Sequence, residues 1–298
     1  MPFVLKKYKA ISGKKIQHFL LDEAGLSIPV AQKLLSKKRV FDEQNVPLKN
    51  GQILSCDYVQ VAIFEGHTRG LKPIFEVEDF AIFDKPSGVM VHPTRKTTKY
   101  CLLDEIRYHF GEQADLAHRI DAQTSGLVLV AKNKPTTTRL KTLFEHRQFT
   151  KQYLALVEGK LTNNLTIDKP ISKADGNLRM KMTCENESGK ASMTHIQPLE
   201  FNQQNNTTLV KAIPITGRQH QIRVHLDSIG HRILGDPIYG VNEYVANDYL
   251  CKKLSSEQRI TLTGAKRLML HAHYLAFIDK DKEYSITSKM TDTVFSNN

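Results

Sequence analysis

Cysteine is scarce in this chain, and what there is lies scattered. Cys56, Cys101, Cys184 and Cys251 form no C-x-x-C pair. That spacing excludes a disulfide framework and a cysteine zinc site, and it suits a reducing compartment, with the cytoplasm expected. No run approaches the ~18–20 apolar residues of a membrane span, so no membrane partner is expected. Residues 1–10 alternate apolar side chains with lysine and lack the apolar core of a secretion signal. Metal-site spacing is missing too. His220 and His225 stand off one helical face, no H-E-x-x-H occurs, and His271 and His273 have no carboxylate pair beside them. There is no Gly-rich phosphate loop, so neither a metal nor a nucleotide cofactor is expected. Internal repeats and low-complexity tracts are absent as well.

What the chain does have is positive charge. Its 298 residues carry 42 Lys+Arg against 31 Asp+Glu, a formal net charge of +11. An excess of that size favours a polyanionic partner, nucleic acid being the commonest. The basic residues interleave with ordered-looking sequence instead of forming a tail. Charge alone leaves open a basic enzyme with no such partner. The length accommodates one large domain plus a small one.

Residues 14–62 read as the small one. Ile16, Phe19 and Leu20 fall at i, i+3, i+4, which predicts a short amphipathic helix ended by Gly25. Ser27 can cap a second helix, with Pro29 in its first turn and Ala31, Leu34 and Leu35 inward. Lys33, Lys37, Lys38 and Arg39 give that helix a basic outer side and end. A short strand at Val40-Phe41, a turn at Asn50-Gly51 and a strand over 58–61 follow. EGHTRGLKP, residues 65–73, mixes Gly, Pro and charge as a linker does. The expected division is therefore 1–64, a linker over 65–73, and 74–298.

In the larger part, strands are expected over 80–83, 89–91, 153–157, 192–196, 209–213 and 284–287, and through RLMLHAHYLAFID. Helices are expected over 97–110 and around Leu140, Leu143 and Phe144. Another runs through Ile222, Leu226 and Ile229, opened by Gly217 and closed by Gly230. Residues 160–190 are polar, with Lys173, Arg179, Lys181 and Lys190; they read either as an arm that holds RNA or as a surface excursion. Mixed strands and helices without regular βαβ alternation argue for an α+β fold.

One stretch organises the rest: residues 118–132, HRIDAQTSGLVLVAK. A polar turn with His118, Arg119 and Asp121 runs through Thr124-Ser125-Gly126 into an apolar strand, so the turn sits at the mouth of a buried element. Most loop aspartates only cap turns. A carboxylate held at a buried mouth, however, needs a cationic partner. Arg223, one position off the apolar stripe of its helix, is the candidate, and it would hold Asp121 ionised and oriented. Such a carboxylate in a dry pocket suits covalent catalysis at a sugar carbon.

The same stretch resembles the H-R-[LI]-D-x-x-T-S-G-L motif of the RluA-type pseudouridine synthases. IFDKPSGVMVHP, KQYLALVEG, GRQHQIRVHLDSIGHRILGDPIYG and LHAHYLAFID extend the resemblance in the family's order over residues 80–279. Residues 14–62 resemble the αL-type RNA-binding module of a small-subunit ribosomal protein. The resemblance implies an α+β pseudouridine synthase fold: a central mixed, largely antiparallel sheet flanked by helices, plus the αL-type module. It implies isomerisation of uridine in RNA, with Asp121 as catalytic carboxylate, Tyr153 stacking on uracil and Arg223 pairing with the aspartate. Arg119 would enter the gap left by a flipped nucleotide, and Leu270 and His118 would contact the substrate. Lys33, Lys37, Lys38, Arg39 and Arg218 would hold RNA. Lys85 and Pro86 read as structural groups near the site. Large-subunit ribosomal RNA is the favoured substrate, with transfer RNA second, for a monomer without cofactor or metal. Competing readings are a catalytically silent RNA-binding factor for ribosome assembly, and a nucleoside or base hydrolase. The hydrolase would need a second carboxylate beside Asp121 to activate water.

Overall fold

The computed structural model describes residues 3–64, 67–93, 98–176, 178, 180–290 and 295. Residues 65 and 66 of the expected linker, residue 97 of the expected helix, and Arg179 lie outside the described residues. Five elements make a small N-terminal unit: β1 (Phe3–Lys9), α1 (Ile16–Asp22), α2 (Ile28–Ser36), β2 (Val40–Phe41) and β3 (Tyr58–Phe64). Its sheet runs β1-β3-β2, antiparallel throughout. The apolar stripes expected on the two helices, Ile16, Phe19 and Leu20 with Ala31, Leu34 and Leu35, pack together with Val59 and Val61 of β3. Ser27 occupies the N-cap of α2, but its side chain makes no capping bond, contrary to expectation. β1 is also new. Its lysine alternation belongs to a largely exposed strand at one edge of the sheet.

A larger sheet builds the remainder. Its first elements are β4 (Pro73–Glu76), β5 (Phe80–Lys85), α3 (Leu102–Phe110), β6 (Asp115–Leu116), β7 (Ser125–Ala131), α4 (Lys134–Glu145) and β8 (Phe149–Glu158). The polar excursion carries β9 (Leu165–Asp168), β10 (Ser172–Lys173) and β11 (Met182–Thr183), and then come β12 (Met193–Asn202), β13 (Thr207–Pro214) and α5 (Gln221–Asp227). The chain finishes with α6 (Glu243–Leu250), α7 (Ser256–Thr263), β14 (Leu270–Asp279) and β15 (Lys282–Thr287). The ten-stranded sheet is ordered β4-β5-β7-β14-β8-β13-β12-β9, with β15 paired to β14 and β6 to β7. All its pairings are antiparallel except the short one between β7 and β14. The fold is mixed α+β.

β7 explains its own composition. Val128 and Val130 pack with Leu102, Leu103 and Ile106 of α3, while Leu127, Leu129 and Ala131 pack with Leu140 of α4. Both faces are covered, so the strand is an unbroken apolar run. On the other half of the sheet, Ala155, Val157, Ile196, Val210 and Ala212 bury Ile222 and Leu226 of α5.

Several expectations need correction. Residues 89–91 form no strand, because their carbonyls are taken elsewhere. Val89 accepts from the Lys85 ammonium, Met90 from the Leu102 amide and Val91 from the Leu103 amide. The helix expected from 97 begins at Leu102, where Cys101 and Asp104 form a capping box. Gly217 does not open the next helix. α5 starts at Gln221, after His220 in a left-handed conformation (φ 56°, ψ 17°). α6 and α7 were not expected. Part of the linker is anchored: Thr68 donates to Glu105 of α3 at 2.6 Å, and the Leu71 carbonyl contacts His109 Nε2 at 2.9 Å. Among the described residues no helix is long and apolar enough to cross a membrane.

Candidate active site

Parallel pairing sets the place of the site. β7 and β14 meet only at Ser125–Gly126 against His271–Ala272, so both strands begin at the same edge of the sheet. The turn before β7 and Leu270 at the head of β14 therefore open together. Glycine is required at 126. Its φ is +109°, and a Cβ there would stand 2.3 Å from the Ala272 carbonyl oxygen. The turn is also held from beneath. Lys85, fully buried, donates to the carbonyls of Pro86 (2.9 Å), Val89 (2.8 Å) and Ala122 (3.0 Å). The Gly88 amide donates to Ala122 as well, at 2.8 Å. Burial pulls the Lys85 ammonium down to about 7, with the Asp121 charge acting the other way.

Above this support lies a cavity of about 860 Å³. Asp121, Tyr153, Arg223, Arg119, His118, Leu270 and Arg218 all line it. Residues spread over a hundred and fifty positions of sequence thus face one space. Asp121 is partly open, its side chain 29% exposed, and its Oδ2 accepts from Arg223 Nη1 at 3.0 Å.

Arg223 is itself clamped. Its Nε and Nη2 donate to the two oxygens of Asp236 at 2.7 and 2.8 Å. Asp236 has no exposed side-chain surface, and its Oδ1 also accepts from the amides of Ile238 (2.9 Å) and Tyr239 (3.1 Å). A guanidinium presents its donors in a rigid planar fork, so fixing one edge aims the other. Burial alone would lower the Arg223 pKa, but the Asp236 charge and hydrogen bonds more than offset it and raise it above the usual arginine range. Arg223 stays charged, and its remaining edge points at Asp121.

The other lining groups divide by what they touch. His118 spends Nε2 on the Leu129 amide of β7 (3.0 Å) and stacks its ring on Phe144 at 4.6 Å, so it pins the turn to the strand as well as facing the cavity. Burial pulls it down to about 3, and it is neutral. Tyr153, in the middle of β8, pairs across the sheet with Ala212 and Ala272. Burial first, then the Asp121 charge, push its phenol above the ordinary range, so it carries its proton. Leu270 is 3% exposed and supplies an apolar patch. Arg119 is exposed and has no ion pair among the described residues. Arg218 is tied at the rim to the Ala191 carbonyl (3.3 Å) and, through its own amide, to Gln221 (3.0 Å).

The basic residues of the N-terminal unit lie apart from this cavity. Lys33, Lys37 and Arg39 line a second one of about 350 Å³, together with Arg107 of α3 and Lys134 of α4. Lys33 is paired there with Glu112 at 2.6 Å. Lys38 does not line it; it sits exposed in the turn after α2 with φ 53°. The expected patch of four is thus divided. The two cavities share Asp115 and both run along α4.

Sequence reasoning missed three residues: Asp236, Tyr239 and His220. The first two lie in GDPIYG, which reads as a turn. The spacing of His220 speaks against a metal ligand and leaves it as a core, capping or RNA-facing group, with no role at Asp121. Its signal is backbone geometry, a left-handed residue that is neither glycine nor asparagine, and one sequence does not display that.

A family model described as RNA pseudouridylate synthase matches residues 79–228. The chain is 37% identical over 295 residues to a Helicobacter pylori protein named "Uncharacterized RNA pseudouridine synthase", covering 98% of this chain and 97% of that one. It is 31% identical over 236 residues to the ribosomal large subunit pseudouridine synthase D of Escherichia coli K12, covering 77% of this chain and 68% of that one. The solved structure of human RNA Pseudouridylate Synthase Domain Containing 1 matches with a TM-score of 0.61 at 26% identity, over 78% of this chain and 90% of that chain. The chain belongs to the RNA pseudouridylate synthase family. It is an enzyme that makes pseudouridine in RNA.

Proposed function

We propose that this pseudouridine synthase acts on large-subunit ribosomal RNA in the cytoplasm, with Asp121 as its catalytic carboxylate. The observation that carries the assignment is the relay Asp236–Arg223–Asp121, in which a buried carboxylate fixes a guanidinium that holds a second, cavity-facing carboxylate. The reaction breaks the glycosidic C–N bond and forms a C–C bond at a ring carbon. That carbon loses its proton and the ring nitrogen gains one, so the base leaves and returns without a co-reactant. One oriented carboxylate in a shielded cavity serves this chemistry. Glycoside hydrolysis needs a second carboxylate to activate water. Among the described residues, Asp236 is the carboxylate held by the same guanidinium as Asp121, and both its oxygens already accept hydrogen bonds, which argues against its activating water.

Tyr153 and Leu270 are proposed to flank the uracil, and Arg119 to fill the stack when the nucleotide flips outward. Flipping is required because the glycosidic carbon is inaccessible in a stacked helix. Residues 1–64 are proposed as an RNA-binding module. Lys33, Lys37 and Arg39, with Arg107 and Lys134, would take phosphates on a path along α4 to Arg218 at the catalytic cavity. The named activity of the E. coli relative supports large-subunit RNA as the substrate.

The test is to incubate the enzyme separately with large-subunit ribosomal and transfer RNA transcripts and map pseudouridine by carbodiimide-blocked primer extension. Stops in the ribosomal transcript are expected. Stops confined to transfer RNA would overturn the substrate assignment, and free uracil would overturn the isomerase chemistry.

A further inference from the structure

His220 stands against Asp121 in the catalytic cavity, and the proposed mechanism leaves it unused. Its backbone is left-handed, which fixes the direction in which the ring leaves the chain at the head of α5. The ring lines the catalytic cavity, its side chain is 9% exposed, and Nε2 stands 3.8 Å from Asp121 Oδ2.

The tautomer of this ring follows from its neighbours. Nδ1 lies 2.9 Å from the hydroxyl oxygen of Tyr239, and that oxygen accepts from the Met182 amide at 3.0 Å. With an amide proton already directed at it, the phenol donates its own proton to Nδ1. The opposite arrangement would aim two N–H groups at one oxygen and leave a buried O–H proton with no acceptor. It would also turn the lone pair of Nε2 toward a carboxylate. Nε2 therefore carries the proton, and it faces Asp121. The charged and titratable groups around the ring are Arg223, Asp121, Asp236 and Tyr239. Burial and the Arg223 charge outweigh the two carboxylates and bring His220 down to about 4, so the ring is neutral at working pH.

We propose that His220 is a positioning residue for Asp121, a tautomer-locked neutral donor that acts beside Arg223 on the same carboxylate oxygen. The gap is less than an ångström longer than a hydrogen bond. Asp236 anchors both arms: through Arg223 directly, and through the Tyr239 amide, whose residue fixes the ring. With Arg223 bonded to Oδ2, the His220 N–H turned toward that same oxygen from 3.8 Å, and no donor to Oδ1 among the described residues, Oδ1 is the oxygen presented to the substrate. The proposal rests on Asp121 being the reactive carboxylate.

Two variants separate the donor from the scaffold. His220→Asn tolerates the left-handed backbone but is too short to reach Asp121. His220→Gln places an amide N–H near the position of Nε2. In single-turnover assays with an RNA that the wild type modifies, His220→Asn should lose roughly tenfold or more in rate with RNA affinity within about twofold. The acid limb of its rate profile should move to higher pH, because the carboxylate has lost a donor. His220→Gln should recover much of both. Equal rates and unshifted limbs in wild type and His220→Asn would overturn the proposal, as would equal losses in both variants with equal falls in melting temperature. A substrate-independent arm uses histidine labelled with ¹⁵N. The Nε2–H signal of His220 should persist across neutral pH and shift in Asp121→Asn, whereas an Nδ1–H tautomer, or a signal blind to Asp121→Asn, would overturn it even if no turnover were found.

Discussion

Among the described residues, Arg139 and Arg223 each bridge two aspartates, and only the second group faces the large cavity. Arg139 of α4 donates to Asp279 at 2.7 and 3.0 Å and to Asp79 at 3.1 Å. Arg223 does the same with Asp236 and Asp121. The chemistry of the parts is identical, and the surroundings differ. The Arg139 side chain is 30% exposed, and its outer carboxylate, Asp79, has a second cation in Lys280. That group staples the middle of α4 and the end of β14 to the turn before β5. The Arg223 side chain is 2% exposed, and its outer carboxylate faces a cavity large enough for a nucleotide. An ion pair becomes a candidate site when the arginine is dry, one aspartate is fully occupied and the other is left with an open oxygen.

The sharpest way to break the comparison is at the outer carboxylates. Asp121→Asn should remove pseudouridine formation by roughly a thousandfold or more, with an unchanged melting curve. The matching Asp79→Asn should leave turnover within about twofold. Primer-extension mapping alongside calorimetry checks both.

Next in size is the inner carboxylate. Asp236→Asn leaves a buried guanidinium with its partner weakened, and breaking a buried pair costs about 3–5 kcal/mol. Urea denaturation should show a loss of that order, accompanied by a large fall in rate, because Arg223 is no longer aimed.

Acid should then separate the regions. His118, His220 and His271 are held at about 3, 4 and 3, against 6.5 for a free imidazole. Their unfolded forms take up protons first, so the stability they contribute is complete above pH 6.5 and declines as pH falls toward their folded values. The urea midpoint should drop steadily between about pH 6.5 and 4. Replacing His118 by Gln should flatten that slope; an unchanged slope would show that His118 does not contribute to it. The smallest effect on rate is expected from Arg139→Met, which leaves the buried Asp279 carboxylate without its cation and so lowers stability while activity stays full.

Much of this was legible from local pattern. The stripes of α1 and α2 follow a 3.6-residue period, and β7 is apolar throughout because helices cover both its faces. The pairing of Arg223 with Asp121 followed from the cost of leaving a carboxylate unpaired at a buried mouth. Where local pattern misled, a long-range partner had intervened. Residues 89–91 have strand-like composition, but a lysine ammonium and the first amides of α3 claim their carbonyls. Lys33 belongs to a basic helix face by sequence and to an ion pair with Glu112 in space.

Asp121 and Arg223 are 102 positions apart, and Asp79 and Arg139 are 60. Sequence alone carried the periodicities, the turn chemistry and the demand that such charges find partners, since those depend on neighbours along the chain. Which carboxylate kept an open oxygen, and which histidine was turned to face it, depended on packing that excludes water. Solvent exclusion is a property of the assembled sheet and helices, and no single stretch of the chain contains it.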